Sequence, residues 1–302
     1  MTLFRQARKA VEQAQSTPKV WELPVEEQRA AARLQAAREP KEEVGGFREI
    51  DADGVRVLHY KADEGREGVS GVIVHLHGGG FVFNDADVHD AACRRFVNLT
   101  GMGLLSVDYR RPPEHPFPAA VEDVDTVLRW LERQGHDHPV FVHGDSAGGN
   151  LALVAALRNP GYFAAVGLIY PFLDPTQGFD SYRTAADGFE PEEAAWYWQQ
   201  YAAGPADLTN PDLAPLLSDR LGTLPPTLVV TAEHDPLRDE GEELARRLDQ
   251  AGVEVTATRY LGQTHGFWRH SVFTAAEPLM EQMAGFLAIH ARRFRQQSRQ
   301  RA

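Results

Sequence analysis

The stretch VFVHGDSAGGNLALVA (residues 140–155) decides the fold, because it joins two kinds of element across one tight turn. The apolar run at 139–145 predicts a buried strand, and residues 147–157 favour a helix. Between them Ser146 stands among small residues. A serine at a sharp strand-to-helix turn would hold its hydroxyl above the sheet edge, where the N–H groups of the next helix point. The same letters also fit an ordinary helix N-cap serine, and this stretch alone leaves both interpretations open.

Outward from this stretch, strands and helices alternate along most of the chain. Predicted strands lie at 54–60, 71–77, 103–109, 139–145, 164–172, 226–235 and 253–260. Predicted helices lie at 88–101, 117–135, 147–157, 236–252 and about 275–296. This order indicates an α/β protein with a mostly parallel central sheet and helices on both faces.

Two segments depart from the alternation. Residues 1–45 are rich in Ala, Glu, Gln and Arg and predict short amphipathic cap helices. Residues 173–224 carry many Pro, Gly and Asp, with a helical centre at 190–204, and predict an inserted cap segment rather than a loop. We expect the two segments to pack together over one end of the sheet. The catalytic domain would then comprise 46–172 and 225–302.

Composition excludes several classes of function. The 302 residues are 43% hydrophobic, which is enough for a substantial core. A formal net charge of −12 argues against nucleic acid as a partner, because phosphate binding needs clustered Lys and Arg. Cys93 is the single cysteine, so neither an internal disulfide nor a cysteine-based zinc site is expected. The sequence shows no secretion signal and no membrane-spanning run, which predicts a soluble cytoplasmic protein without membrane insertion.

The strand ends supply the partners that a reactive serine needs. A serine hydroxyl becomes a good nucleophile only when a base takes its proton, and the base needs an orienting acid. Five residues fit the nucleophile-elbow pattern G-x-S-x-G: Gly144, Asp145, Ser146, Ala147 and Gly148. Asp235 follows the strand at 226–235, and His265 comes after the strand at 253–260. Taken singly, Asp235 also fits a helix N-cap and His265 a surface loop, but together they give the order Ser, acid, His.

A third loop offers backbone donors for an oxyanion. HLHGGGF (75–81) comes at the end of a predicted strand, and its three consecutive glycines let N–H groups turn towards a ligand. The N–H of Ala147, directly after the serine, would complete the site. His77 is interpreted as a structural histidine that supports the glycine loop. The alternative for this stretch is a flexible glycine linker.

Together these motifs resemble the hormone-sensitive-lipase-like (family IV) esterases. The motifs are HGGG at 77–80, DYRRPPEHPFPAA at 108–120, GDSAGG at 144–149, DPLRDEG at 235–241 and HGF at 265–267. The resemblance runs from about residue 45 to the C-terminus. It implies an α/β-hydrolase fold with a helical cap, and no metal or organic cofactor.

Roles are carried over from the resemblance by position. It implies that Ser146 is the nucleophile, His265 the general base and acid, and Asp235 the orienting carboxylate. It implies oxyanion donors at Gly79, Gly80 and Ala147. His77, Gly78, Gly144, Asp145 and Gly148 would support these motifs.

The chain departs from the family pattern at two places. Arg110-Arg111-Pro112-Pro113-Glu114 stands where the family usually has Arg-Leu-Ala-Pro-Glu, which would stiffen a loop near the site. Glu233-His234 precedes the acid where smaller or apolar residues are more common, which would add a charge beside it. Neither departure removes a catalytic group, so they bear on specificity.

Aromatic and histidine clusters outside the motifs leave alternatives open. The candidates for a substrate pocket are Phe81, Trp196, Tyr197, Trp198 and Tyr201, although aromatic residues at helical spacing also serve as cap packing. HDH at 136–138 could suggest metal ligands, but a polar turn without a third ligand favours solvated side chains. The basic C-terminal tail favours a solvated helix end over a surface-binding patch.

The expected function is a serine carboxylesterase that hydrolyses short- to medium-chain acyl esters through an acyl-enzyme on Ser146. The alternatives are a hydrolase of amides, lactones or acetylated sugars, and a non-catalytic ligand-binding receptor. Some plant hormone receptors resemble the family but have lost the catalytic histidine, whereas His265 is present here. The partner is a small-molecule ester, and a homodimer is common among similar proteins.

Overall fold

A computed structural model describes residues 2–63 and 70–301 of the chain. Its centre is an eight-stranded sheet in the order β1-β2-β4-β3-β5-β6-β7-β8. The strands are β1 (Gly46–Ala52), β2 (Val55–Lys61), β3 (Val72–Leu76), β4 (Gly103–Val107), β5 (Val140–Asp145), β6 (Ala165–Ile169), β7 (Thr227–His234) and β8 (Val255–Thr264). Pairing is antiparallel between β1 and β2 and between β2 and β4, and parallel across the rest. The predicted α/β fold with a mostly parallel sheet is confirmed.

Helices connect several of the parallel strands and also lie at both ends of the described chain. They are α1 (Arg5–Ala14), α2 (Val25–Ala36), α3 (Asp90–Thr100), α4 (Ala119–Arg133), α5 (Ala147–Arg158), α6 (Ser181–Thr184), α7 (Pro191–Tyr201), α8 (Arg238–Gln250) and α9 (Ala276–Arg301). Helix α3 ends where Gly101 takes a φ of 68°, a left-handed conformation that glycine adopts without strain. None of the helices in the described part of the chain has both the length and the apolar character needed to cross a membrane.

The centre of the sheet is buried on both faces. Every residue of β5 is buried, as is every residue of β6 and β7. Helix α5 is buried along nearly its whole length, which explains why its sequence is apolar on all sides rather than amphipathic. Because β3, β5, β7 and β8 are parallel, the loops that leave their carboxyl ends meet at one edge of the sheet.

One strand was not predicted from the sequence. Strand β1 pairs with β2 along its length, from Gly46 with Lys61 to Ala52 with Val55. Most of its side chains are exposed, including Arg48 and Glu49, so it lacks the apolar alternation of a half-buried strand. Strand β8 also runs four residues beyond the predicted end, to Thr264.

The N-terminal segment contacts both the insertion and the glycine loop. Lys19 Nζ lies 2.7 Å from Glu190 Oε2, directly before α7. The buried Arg29 of α2 donates from Nε to the Val82 carbonyl at 2.9 Å and from Nη2 to the Pro112 carbonyl at 2.6 Å. These bonds tie the N-terminal helices to the loops at the carboxyl edge of the sheet.

Candidate active site

Ser146 occupies a strained turn between β5 and α5. Its φ of 55° and ψ of −121° lie in a region that L-residues rarely adopt. The surrounding backbone holds it there: its N–H donates to Ile169 O at 2.9 Å, and its carbonyl accepts from Asn150 and Phe172 at 3.1 Å. The hydroxyl makes no capping bond to α5. Ser146 therefore stands at the N-cap position without using its side chain as a cap.

Small residues beside Ser146 are required by close backbone approach. A Cβ on Gly144 would lie 2.3 Å from the Gly148 carbonyl oxygen, and a Cβ on Gly148 would lie 2.0 Å from the Leu76 carbonyl oxygen. Both distances are far below van der Waals contact. The two glycines of the predicted elbow pattern thus let β5, α5 and the end of β3 meet at one point.

The three side chains predicted to act together form an unbroken hydrogen-bonded chain. His265 Nε2 lies 2.9 Å from Ser146 Oγ, and His265 Nδ1 lies 2.8 Å from Asp235 Oδ2. Asp235 is fully buried, and its other oxygen accepts the N–H of Leu237 at 2.9 Å. A carboxylate accepts only, so Nδ1 carries the proton and Nε2 is free to accept the serine proton. Asp235 thus closes a turn directly before α8 and orients His265 at the same time.

The ionisation of His265 is set by two opposing effects. Burial disfavours the imidazolium and lowers the pKa, but the charge of Asp235 and its hydrogen bond outweigh burial. The net result is a pKa for His265 above its ordinary value of 6.5. His265 is neutral, and able to accept a proton, at pH values above this raised pKa.

The glycine loop after β3 lies beside the serine. Gly79 and Gly80 have φ values of 124° and 59°, which glycine adopts without strain and other residues adopt only at a cost. A Cβ on Gly80 would lie 2.2 Å from the Tyr197 ring. Ala147 is the first residue of α5, so its N–H has no carbonyl of a preceding turn to bind. Gly79 and Gly80 line the cavity that contains Ser146, and Ala147 follows the serine directly; their role as oxyanion donors stays a prediction.

Asp145 and His77 hold the glycine loop in place. Asp145 Oδ1 accepts the N–H of Gly78 at 3.0 Å, and burial raises the pKa of Asp145 to about 6. The ring of His77 stacks on Tyr109 with 4.1 Å between centroids, and His77 Nδ1 lies 3.0 Å from Gly78 O. Tyr109 donates to the His77 carbonyl at 2.6 Å. The predicted supporting role of His77 therefore has a structural basis.

A cavity of about 200 Å³ opens above the serine. Its walls are formed by Gly79, Gly80, Asn84, Asp145, Ser146, Gly188, Phe189, Glu193, Tyr197, His265, Gly266, Arg269 and His270. The insertion contributes aromatic rings at Phe189 and Tyr197. It also contributes a carboxyl group at Glu193, whose Oε1 accepts from the Tyr197 hydroxyl at 2.9 Å and whose pKa is raised by burial.

Only Tyr197 of the five aromatic residues predicted for the pocket lines this cavity. Phe81 is fully buried and stacks on Tyr201 with 3.7 Å between ring centroids. Trp198 is 2% exposed and packs against Phe172, while Trp196 stacks on Phe83 outside the cavity. The structure corrects the prediction for these four residues, because helical spacing places Tyr197 in the cavity and turns both tryptophans away.

The two departures from the family pattern have local partners. Glu233 accepts the N–H of Gly262 at 2.7 Å through its carboxylate, and His234 Nδ1 lies 2.7 Å from Asp187 Oδ2 in the insertion. Pro112 offers its carbonyl to Arg29. These residues fasten loops and the insertion around the site, and none of them reaches Ser146.

Sequence reasoning missed Glu193, since nothing in the pattern of α7 distinguishes a carboxylate that faces a cavity from one that faces solvent.

One buried cluster in the described chain has the composition of a metal site. Donor atoms of His75, His89 and Asp145 lie within 4.8 Å of one another. However, His75 Nε2 lies 3.1 Å from His89 Nδ1, His75 Nδ1 lies 3.0 Å from His143 Nε2, and Asp145 is engaged by Gly78. A hydrogen-bonded histidine chain accounts for these positions, so we assign no metal. His136 of the HDH turn only approaches the carbonyl of His138, at 2.9 Å.

Comparison with known proteins identifies the family. Residues 73–269 match the family model described as alpha/beta hydrolase fold. The chain belongs to the α/β-hydrolase family. It is 34% identical to a hyperthermophilic esterase from Pyrobaculum calidifontis, with a TM-score of 0.84 over 96% of this chain and 99% of that one. The resemblance to esterases of this fold, predicted from the motifs, is confirmed.

Two of the relatives known by sequence carry the names of ester hydrolases. The α/β-hydrolase described here is 40% identical over 234 residues to the carboxylic ester hydrolase LipN of Mycobacterium tuberculosis. It is 37% identical over 209 residues to the ethyl acetate hydrolase of Pseudomonas putida. The alignments cover 72% and 65% of this chain but only 61% and 66% of the relatives' own length.

Proposed function

We propose that the protein hydrolyses carboxylic esters through an acyl-enzyme on Ser146. The observation that carries this proposal is the hydrogen-bonded chain from Ser146 through His265 to Asp235, with distances of 2.9 Å and 2.8 Å. These distances are those over which a serine, its base and the orienting acid can pass and stabilise a proton. The esterase names of the relatives support the same reaction.

In the first half-reaction Ser146 Oγ attacks the ester carbonyl while its proton passes to His265 Nε2. The negative charge on the resulting oxyanion would be met by the N–H groups of Gly79, Gly80 and Ala147. His265 then gives the proton to the departing alcohol oxygen, and the carbon–oxygen bond breaks. The acyl group remains on Ser146, and the alcohol leaves.

In the second half-reaction water takes the place of the alcohol. His265 removes a proton from water, the hydroxide attacks the acyl carbon, and the proton returns to Ser146 Oγ as the carboxylic acid leaves. Asp235 stabilises the imidazolium that forms twice per turnover. These steps consume only ester and water, so the proposal requires neither metal nor cofactor.

The cavity above Ser146 supports small substrates. A volume of about 200 Å³ bounded by Phe189 and Tyr197 matches a short acyl chain better than a long one. We propose that residues 1–45 and 173–224 act together as a cap over the site, and the Lys19–Glu190 ion pair between them supports this division. The homodimer and the cytoplasmic location stay predictions of the sequence.

The experiment is hydrolysis of p-nitrophenyl esters from acetate to palmitate. We expect turnover to peak between acetyl and hexanoyl and to fall by at least about 10³-fold in Ser146→Ala. Ser298→Ala, which removes a hydroxyl from the exposed end of α9, is the matched control and should retain the parent rate. Folded protein without turnover on any chain length would reject the esterase and direct the test to amides, lactones and the receptor alternative.

A further inference from the structure

The wall of the catalytic cavity on the His265 side contains an arginine without an acidic partner. Arg269 lines the cavity above Ser146 together with Gly266 and His270. Within the part of the chain that the structure describes, no carboxylate oxygen lies within 4.0 Å of its guanidinium nitrogens. Many other arginines of this acidic protein do have such a partner, for example Arg56 and Arg158. An arginine left unpaired beside a nucleophile therefore needs an explanation.

The surroundings of Arg269 do not compensate its charge. Burial lowers its pKa, and the more distant charges of Asp145 and Glu39 oppose that effect without cancelling it. A desolvated guanidinium gains most from a carboxylate or phosphate, which its planar fork can bind through two N–H groups. Such an anion is what the site lacks.

A second cavity, of about 470 Å³, shares Arg269 and His270 with the catalytic cavity. Arg95 also lines it and donates to the Arg269 backbone carbonyl. The positive potential at this boundary is visible on His270: burial and the charges of Arg269 and Arg95 lower its pKa to about 3. An anion placed between the two cavities would thus face two cationic side chains.

Carboxylates nearby restrict where an anion can sit. Glu39 and Glu42 line the larger cavity, while Asp145 and Glu193 line the catalytic cavity. Lys41, the other cation of the larger cavity, is engaged by Asp90 at 2.6 Å. An anion deep in the larger cavity would be repelled, whereas one at Arg269 lies where the arginines dominate.

The position of Arg269 also assigns the anion to one half of the ester. The leaving alcohol oxygen must approach His265 Nε2 to receive its proton. Arg269 lies four residues further along the same loop, so a group that reaches it extends from the alcohol portion. Since the protein carries a formal net charge of −12, an anionic ester would not be attracted without such a local site.

We infer that Arg269 forms an anion subsite and that the substrate is an ester whose alcohol portion carries a carboxylate. This inference rests on the proposed esterase function and narrows it to a substrate class. In the bound complex the carboxylate would occupy the boundary between the two cavities, with the scissile carbonyl over Ser146. Glu193 also lines the catalytic cavity and would disfavour an orientation that brings the carboxylate against it.

The test compares acetate esters that differ only in charge. Acetoxyacetate, 3-acetoxypropanoate and 4-acetoxybutanoate are measured against the corresponding primary amides, and acetate release gives kcat/KM for each pair. We expect at least one carboxylate to exceed its amide by about tenfold or more, because a charge-assisted hydrogen bond to a buried arginine is worth that much. The preference should shrink with added salt.

Variants assign the preference to Arg269. In Arg269→Gln the carboxylate-to-amide ratio should fall to about one, and in Arg269→Lys it should be intermediate, since lysine keeps the charge but not the planar fork. The ratio is taken within each variant, so a general loss of activity cancels. Arg293→Gln removes one positive charge from the exposed Glu254 pair and should retain the parent ratio.

Three results would overturn the inference. They are equal turnover of carboxylates and amides by the parent protein, a preference that survives in Arg269→Gln, and a higher rate for ammonium-bearing analogues, which would point to Glu193 instead. Each of these requires that acetate esters are hydrolysed. Absence of turnover on every ester, with the p-nitrophenyl series also inert, would instead reject the proposed function itself.

Discussion

Among single residues, Asp235 decides the pH at which the protein acts. Its charge and hydrogen bond raise the pKa of His265 above 6.5 against the lowering effect of burial. Only neutral His265 can take the Ser146 proton, so kcat/KM should rise with pH through a value above 6.5. A histidine with the ordinary pKa of 6.5 would give this rise near that pH, and the surroundings of His265 move it upward. A profile that is flat from pH 5 to 8 on a substrate with rate-limiting chemistry would contradict this role.

Asp235→Asn removes the negative charge of Asp235 and keeps the size and shape of its side chain. The variant removes the two largest effects that raise the pKa of His265 and keeps burial and the weaker charges of Asp145 and Glu193, so the acid limb should move to lower pH. The rate should fall on the order of 10⁴-fold, since an amide also favours the wrong tautomer of the imidazole. Asp219→Asn, at an exposed position, should change neither quantity. An acid limb at the same pH in Asp235→Asn would show that another group titrates.

Gly80→Ala tests the glycine loop as donor of the oxyanion site. The new methyl group would lie 2.2 Å from the Tyr197 ring, at a φ of 59° that alanine adopts at a cost of about 1–2 kcal/mol. The loop must shift, and kcat should fall by roughly 10²-fold or more, with a smaller change in KM. Gly285→Ala, in α9 where a methyl group meets nothing within 4 Å, is the control. Equal kcat values in the two variants would show that this loop does not stabilise the transition state.

At the level of elements, helix α2 is fastened to the site by one buried arginine. Arg29 bonds the carbonyls of Val82 and Pro112, and replacing it by methionine leaves both without a donor. Arg29→Met should lower the free energy of unfolding by about 2 kcal/mol. Chemical denaturation measures this loss, and Arg38→Met, at an exposed position just after the same helix, should change stability by less than about 0.5 kcal/mol. Similar midpoints for the two variants would mean that α2 is held by other contacts.

Strands and helices could be predicted from the sequence where their residues are apolar and buried. Buried strands such as β5 and β7 and the apolar helix α5 have sequences that allow few alternatives, and their predicted bounds fall within two residues of the structure. The exposed strand β1 is held by its pairing with β2, which no local pattern of β1 encodes. In α7 the helix itself was predicted, but which face of it would line the cavity depends on contacts with distant loops.

Across the whole molecule, motif residues were predictable because chemistry limits them to few types. Ser146, Asp235 and His265 come from three strand ends far apart in the chain, and the parallel sheet brings those ends together. Arg269 and Glu193 carry no such signal, since most arginines and glutamates lie on solvated faces. Their placement in a cavity emerges only when the loop after β8 and the insertion are packed. Substrate recognition was therefore the part of the function that the sequence left open.

The buried histidines make the stability of the whole fold depend on pH. His75, His89 and His143 lie in one hydrogen-bonded chain beneath the site, and burial lowers the pKa of His143 to about 3. The unfolded chain takes up a proton at such a position below pH 6.5, whereas the folded one does not. The stability that such a buried neutral histidine contributes is therefore fully present above pH 6.5. It is lost as the pH falls from 6.5 towards the pKa of the histidine in the folded state. Asp145 acts in the opposite sense, because its raised pKa of about 6 favours the folded state below that pH.

Since several histidines outnumber this single carboxyl group in the cluster, we expect a net loss of stability from pH 7 to pH 5. His143→Phe should reduce that loss by at most roughly 2 kcal/mol, the value for one histidine with an unfolded pKa of 6.5. The measurement is the free energy of unfolding in urea at both pH values, and the exposed His138→Gln variant should lose as much as the parent. An unchanged loss in His143→Phe would mean that the chain opens to water and takes up protons in the native state. Packing of the strands around the serine would then not be enough to exclude water from the histidine chain beneath it.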